Sequence, residues 1–179
     1  MDFLSRGFGG VLTAVGLAAA SFLSSFAQAQ NTPLFQTRDW VEVEPVETVT
    51  VVPGERAPLE LRFRVRQGFH INSHQPTSEE LKPTVVHFSL PIGIVIAQVQ
   101  YPAGELLSLP IDPTTKWSVY SGEVTIKAQA IAERREMTGP YLIHAELNYQ
   151  ACDNRSCYPP KKLPFEFWVN VGRPPRRHH

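Results

Sequence analysis

The chain has 179 residues, with 17 Lys and Arg balanced by 17 Asp and Glu and a formal net charge of zero. That balance, with no basic stripe and no acidic block, excludes nucleic acid and a cation store as organising partners.

Residues 1–29 read as a cleaved signal peptide. Arg6 supplies a short cationic start, Phe8 to Phe26 is uncharged and rich in Ala, Leu and Phe, and Ala27-Gln28-Ala29 fits a small-x-small cleavage site. An uncleaved anchor is the alternative. Gly9, Gly10, Gly16 and several serines dilute the stretch, however, and no cationic stop-transfer flank follows. No cysteine lies near the cleavage site, which excludes a lipid-anchored form. No second apolar run approaches spanning length, so no membrane insertion of the mature chain is expected. The remaining 30–179 is one domain of ordinary size, able to fold without a staple. It is expected in an oxidising compartment where disulfides persist.

The mature chain reads as β almost throughout. Gln30 to Asp39 and Arg173 to His179 look like frayed tails. Thr48 to Val52 is a short strand candidate. Leu59, Leu61, Phe63 and Val65 alternate with Glu60, Arg62, Arg64 and Arg66, the period of a strand with one buried face. Phe69 to Asn72, Val85 to Leu90, Ile94 to Tyr101 and Lys116 to Tyr120 are further short candidates. Thr77 to Leu81 is the one possible helical turn, with Thr77 as cap and Glu80 three residues on. After the Ser121-Gly122 turn, Val124, Ile126, Ala128 and Ala130 alternate with polar residues. Ile143, Ala145, Leu147 and Tyr149 do the same, as do Phe165, Phe167, Val169 and Val171. Eight or nine short strands at this spacing predict an all-β, immunoglobulin-like antiparallel two-sheet sandwich.

The two cysteines, Cys152 and Cys157, share one short segment between the last two long strands. A ring of about six residues returns roughly 2 kcal/mol of chain entropy, against more than 4 for one of about 100. A purely structural purpose is therefore poorly rewarded, and a reversible switch fits better. The flanking strands predict that the cysteines face each other near the base of a loop at one end of the sandwich. Pro159 and Pro160 stiffen one side. Arg155, Lys161 and Lys162 would favour a thiolate and Asp153 opposes them, so no net shift is expected. Tyr149 and Tyr158 flank the pair and could shield it or offer an apolar docking surface.

Tyr149-Gln150-Ala151-Cys152 followed by Cys157-Tyr158-Pro159-Pro160 resembles the active-site segment of the N-terminal periplasmic domain of DsbD, the bacterial thiol:disulfide interchange protein. Gln67 to Asn72, Val99 to Gly104 and Val119 to Gly122 resemble that domain in the same order. The resemblance spans about Val49 to Val171. It implies an immunoglobulin-like sandwich whose cysteine pair shuttles between dithiol and disulfide, Cys157 forming mixed disulfides and Cys152 resolving them. It implies electrons from a thioredoxin-like protein or membrane thiol:disulfide transporter. The clients would be periplasmic thiol-disulfide proteins, including those of cytochrome c maturation. The membrane and thioredoxin-like domains of full-length relatives are not in this sequence, so the donor is expected to act in trans. Leu106 to Lys116 takes the place of the family's cap loop, with Leu109, Ile111 and, just beyond, Trp117. His70 and Asn72 stand where better-known relatives carry tyrosines near the site, so any polar tuning of the pair would differ.

Other readings stay open beside this one. The pair could be a local structural disulfide in a non-catalytic immunoglobulin-like binding module. Two thiolates with one or two histidines would suit zinc or Cu(I). Yet His70, His74, His87 and His144 are scattered, so no metal and no cofactor is expected. Trp40, Trp117 and Trp168 read as packing residues, and the Arg62, Arg64, Arg66 row as a solvated strand face. No nucleophile elbow or paired carboxylates support hydrolysis, so any enzymatic role would be sulfur exchange, as a component of protein-disulfide reduction.

Overall fold

The structure, a computed structural model, describes residues 39–135 and 137–172. The expected signal peptide and the tail from Arg173 lie outside them. Twelve strands follow in chain order: β1 (Val41–Val43), β2 (Val49–Val51), β3 (Arg56–Val65), β4 (His70–Asn72), β5 (Val85–Ser89), β6 (Ile94–Gln100), β7 (Glu105–Leu109), β8 (Asp112–Tyr120), β9 (Glu123–Ala132), β10 (Gly139–Tyr149), β11 (Ala151–Cys152) and β12 (Lys161–Val171). There is no helix among the described residues, and none long and apolar enough to cross a membrane.

The long strands form where the sequence alternates, because only a two-residue period puts every apolar side chain on one face. Ala57, Leu59, Leu61, Phe63 and Val65 of β3 are buried, and the residues between them are exposed. β9, β10 and β12 repeat the pattern with Ile126, Ala130, Ile143, Leu147, Phe167 and Val169, each at most 2% exposed. Two four-stranded sheets, β1-β3-β9-β6 and β2-β12-β10-β5, turn these faces inward. Phe63 of one meets Phe165 of the other edge-on at 5.5 Å. Each large apolar side chain buried in this way contributes about 1.5–3 kcal/mol of transfer free energy. The result is the expected immunoglobulin-like sandwich.

Several details differ from the sequence reading. A third sheet, β11-β4-β8-β7, adjoins the other two and carries Ile71 and Tyr120 into the shared core. The β2–β12 pair is parallel, Val49 lying opposite Val169, whereas the other pairs are antiparallel. β1, β7 and β11 escaped the periodicity because they are short or, like Leu106-Leu107, do not alternate. The supposed loop Leu106 to Lys116 is a hairpin, with Leu107 opposite Trp117 and Leu109 opposite Asp112. Thr77 to Leu81 is a turn rather than helical. Leu81 N donates to Ser78 O at 3.2 Å and Glu80 N to Ser78 Oγ at 3.4 Å, and a segment this short cannot nucleate a helix. Asp39 is not frayed, since its carboxylate accepts from Lys161 Nζ at 3.1 Å.

The feature that positions the site is the unbroken register of β10 against β12, from Gly139 opposite Val171 to Tyr149 opposite Lys161. It fixes both ends of residues 150–160 at one edge of the sandwich. Everything chemical in the cysteine segment hangs between those two anchors.

Candidate functional site

Leaving β10, the chain makes two ladder residues, Ala151 opposite Ile71 and Cys152 opposite His70, before it turns. Cys152 is thus built into a strand pair and is 2% exposed. Cys157 comes back opposite Cys152, framed by Asp153 N donating to Ser156 O at 2.9 Å and Tyr158 N to Ala151 O at 2.8 Å. This is a non-hydrogen-bonded antiparallel pair, the kind in which side chains approach most closely. The Cα atoms are 4.0 Å apart and the sulfurs are joined as a disulfide. Cys157 is only half-buried, so the two sulfurs differ in access.

The turn between them is made by Asp153. Its Oδ1 accepts from Arg155 N at 2.7 Å and Ser156 N at 2.9 Å, and its Oδ2 accepts from the Tyr158 hydroxyl at 2.6 Å. A short aspartate bonding its own backbone two and three residues on is what an Asx turn requires. The Tyr158 hydrogen bond, then the two backbone N–H groups, hold the Asp153 carboxyl below its ordinary range. Reciprocally, donation to that carboxylate raises the Tyr158 phenol. Arg155 and Ser156 are exposed at the tip.

Tyr158 also joins an aromatic group. Its ring centroid is 4.5 Å from Trp40 and 6.1 Å from Phe69, and Lys161 Nζ lies 4.3 Å above the Trp40 ring. Tyr149 is buried beneath this group. Its hydroxyl faces the backbone N–H groups of Trp40 and Val41, short of hydrogen-bonding geometry. Burial, reinforced by the Asp39 charge, pushes its phenol up to about 12.

His70 and Asn72 support the segment from β4. His70 is the ladder partner of Cys152, and its Nδ1 lies 2.9 Å from Ser121 Oγ. Asn72 is buried, and its Nδ2 donates to Gln150 Oε1 at 3.2 Å and Lys82 O at 3.0 Å. Gln150 Nε2 in turn donates to Tyr158 O at 3.2 Å, which ties the returning strand to β4.

Cys152, Cys157, Tyr158, Arg155, His70 and, through Gln150, Asn72 are therefore gathered at one edge, with Tyr149 below them. The Asp153 hub was legible as a turn-forming residue type but was read only as a charge. Trp40 could not be placed from sequence, because it arrives from the start of β1, and Lys161, expected beside the sulfurs, sits over Trp40 and bonds Asp39. The β7–β8 hairpin pairs with β4 through Val119 and Tyr120, and its tip lies at the far end of β8. Among the described residues no three His, Cys, Asp or Glu side chains converge as a metal site.

Chemically, the arrangement offers a disulfide with one sulfur held in a ladder and the other open to a partner. Comparison with curated proteins finds no match. Among solved structures, the reduced N-terminal domain of DsbD from Neisseria meningitidis is similar at 19% identity, over 70% of this chain and 85% of that one, with a TM-score of 0.40. The N-terminal periplasmic domain of ScsB from Proteus mirabilis is similar at 12% identity, over 79% of this chain and 50% of that one, with a TM-score of 0.48. The family model described as thiol:disulfide interchange protein DsbD, N-terminal, matches residues 37–167, well over half of the chain. By that match the chain belongs to the DsbD N-terminal domain family.

Proposed function

We propose that this domain is a periplasmic thiol-disulfide relay, exported by the signal peptide at residues 1–29 and working through Cys152 and Cys157. The observation that carries the reading is the unequal access of the two sulfurs within one short ring: Cys152 is 2% exposed in a strand pair, and Cys157 is half-buried at the turn. Thiol exchange is an in-line attack on one sulfur and expulsion of the other, so access selects the sulfur attacked.

In the reducing half-cycle a donor thiolate attacks Cys157 Sγ, the S–S bond breaks, and Cys152 leaves as a thiolate that takes up a proton. The donor's second thiol attacks its own sulfur in the mixed disulfide, releasing Cys157 as a thiolate. The donor ends as a disulfide, and two electrons rest on the pair. In the oxidising half-cycle Cys157 attacks a client disulfide, and Cys152 then attacks Cys157 Sγ and expels the reduced client. The donor is a thioredoxin-like protein or membrane thiol:disulfide transporter, and the clients are periplasmic thiol-disulfide proteins such as those of cytochrome c maturation. Arg155, Tyr158, His70, Asn72 and Tyr149 shape the site without exchanging sulfur.

The test is a redox titration against glutathione, read by thiol alkylation and mass, with single-cysteine trapping in parallel. A midpoint between about −180 and −270 mV places the pair among exchanging couples. Cys152→Ser should then capture a thioredoxin-like partner and Cys157→Ser should not. A midpoint below about −300 mV with no trapped partner marks a structural bridge and ends the relay reading.

A further inference from the structure

Once the S–S bond is broken, little is left to keep Cys157 opposite Cys152. Asn154, Arg155 and Ser156 are exposed, so no apolar contact holds the turn. What remains are two backbone bonds, Asp153 N to Ser156 O and Tyr158 N to Ala151 O, the bond from Gln150 Nε2 to Tyr158 O, and the three bonds converging on the Asp153 carboxylate. The bond from the Tyr158 hydroxyl differs from the other two. At 2.6 Å it has the length of a charge-assisted bond, and it ties the turn to a ring outside it. That ring is itself anchored. It packs on Trp40 and Phe69, and Trp40 lies under Lys161, whose Nζ also meets Asp39. The Trp40 carbonyl accepts from Arg66 N at 2.9 Å, which fixes Trp40 to the end of β3.

We propose that Asp153 and Tyr158 are positioning residues, a carboxylate–phenol latch that keeps the dithiol hairpin closed so that Cys152 and Cys157 stay poised to re-form their disulfide. The purpose of the latch rests on the relay reading; its existence in the reduced hairpin does not. In the disulfide form the covalent bond already holds the sulfurs together. Removing the latch therefore frees the dithiol form more than the disulfide form, and reduction becomes easier.

Tyr158→Phe is the decisive variant, because it keeps the ring and its packing and changes no charge. In glutathione equilibrium its dithiol form should be favoured about threefold to tenfold over the parent, the upper end being about 30 mV. Asp153→Ala should shift further in the same direction, since it removes three bonds and a charge that opposes the thiolate. Asp153→Asn, which retains an acceptor for the backbone and an amide for the phenol oxygen, should lie between Asp153→Ala and the parent. In protein reduced with a phosphine, hydrogen exchange at the Arg155 and Ser156 amides should be slowed in the parent and about tenfold faster in Asp153→Ala. A Tyr158→Phe equilibrium within twofold of the parent, or unprotected Arg155 and Ser156 amides in the reduced parent, overturns the latch. A parent that does not exchange with glutathione overturns the relay instead, and the amide measurement still decides the latch.

Discussion

The bond between Cys152 and Cys157 closes a ring with a sequence separation of only 5, and opening it releases correspondingly little unfolded-chain entropy. For a ring of about six residues the chain-entropy relation gives about 7 cal/mol/K, or about 2 kcal/mol at 25 °C. The native side adds little to this, because the ring's interior is solvent-exposed and the buried cluster is drawn mainly from β3, β9, β10 and β12. A domain of this size loses roughly 2–4 °C of Tm per kcal/mol, so reduction, or the double variant Cys152→Ser/Cys157→Ser, should lower Tm by no more than about 10 °C. Near-UV circular dichroism should persist in the reduced protein. By linkage the fold makes the pair only about 45 mV more reducing than the same thiols in an unfolded chain. Calorimetric melts of oxidised and phosphine-reduced protein measure this directly. A drop beyond about 20 °C, or loss of tertiary signal on reduction at 25 °C, would show that the bond staples the fold, and the reasoning from ring size would be wrong.

Three further outcomes follow from the packing and electrostatics. Trp40→Ala removes the ring that Tyr158 packs on and Lys161 sits over; we expect a loss of about 2–3 kcal/mol in urea unfolding and faster reduction of the pair by glutathione. In an absorbance titration Tyr149 should ionise near 12. Because that folded value lies above the ordinary 10.0, its contribution to stability is intact below about pH 10 and is lost as pH rises through about 12. Denaturant midpoints across pH 9–12 should fall less steeply in Tyr149→Phe. Gly104→Ala would drive a methyl into Ser118 Oγ and to 2.7 Å from Ser73 Cβ, so it should cost about 1–3 kcal/mol, measured as a lowered urea midpoint at unchanged m-value.

The long strands were legible because their burial is a local property of the sequence. Leu59 to Val65 and Phe165 to Val171 alternate whatever they pair with, and the structure buries the residues that alternation selects. Pairing partners were less legible. Nothing in Thr48 to Val52 says that it will lie parallel to a strand at the other end of the domain. The site divides along the same line. The cysteines, the Pro-stiffened return and the flanking tyrosines are contiguous and could be read. The Asp153 turn could have been read as well, since an aspartate two and three residues before exposed N–H groups is a local signal. Trp40 and Ser121 reach the site only through tertiary pairing, so no spacing rule in one sequence could assemble them.

The parallel pairing of β2 with β12 also ties the completion of one sheet to the end of the chain. β12 lies between β2 and β10 in its sheet, so that sheet lacks an interior strand until the chain has been made through Val171. Val49 waits for Val169, a contact of high sequence separation, and topologies dominated by such contacts fold in milliseconds to seconds. Synthesis at about 5–20 residues per second leaves β2 without its β12 partner for several seconds more. For a chain that we propose is exported, delayed closure is an advantage: the polypeptide stays threadable until its last strand is available.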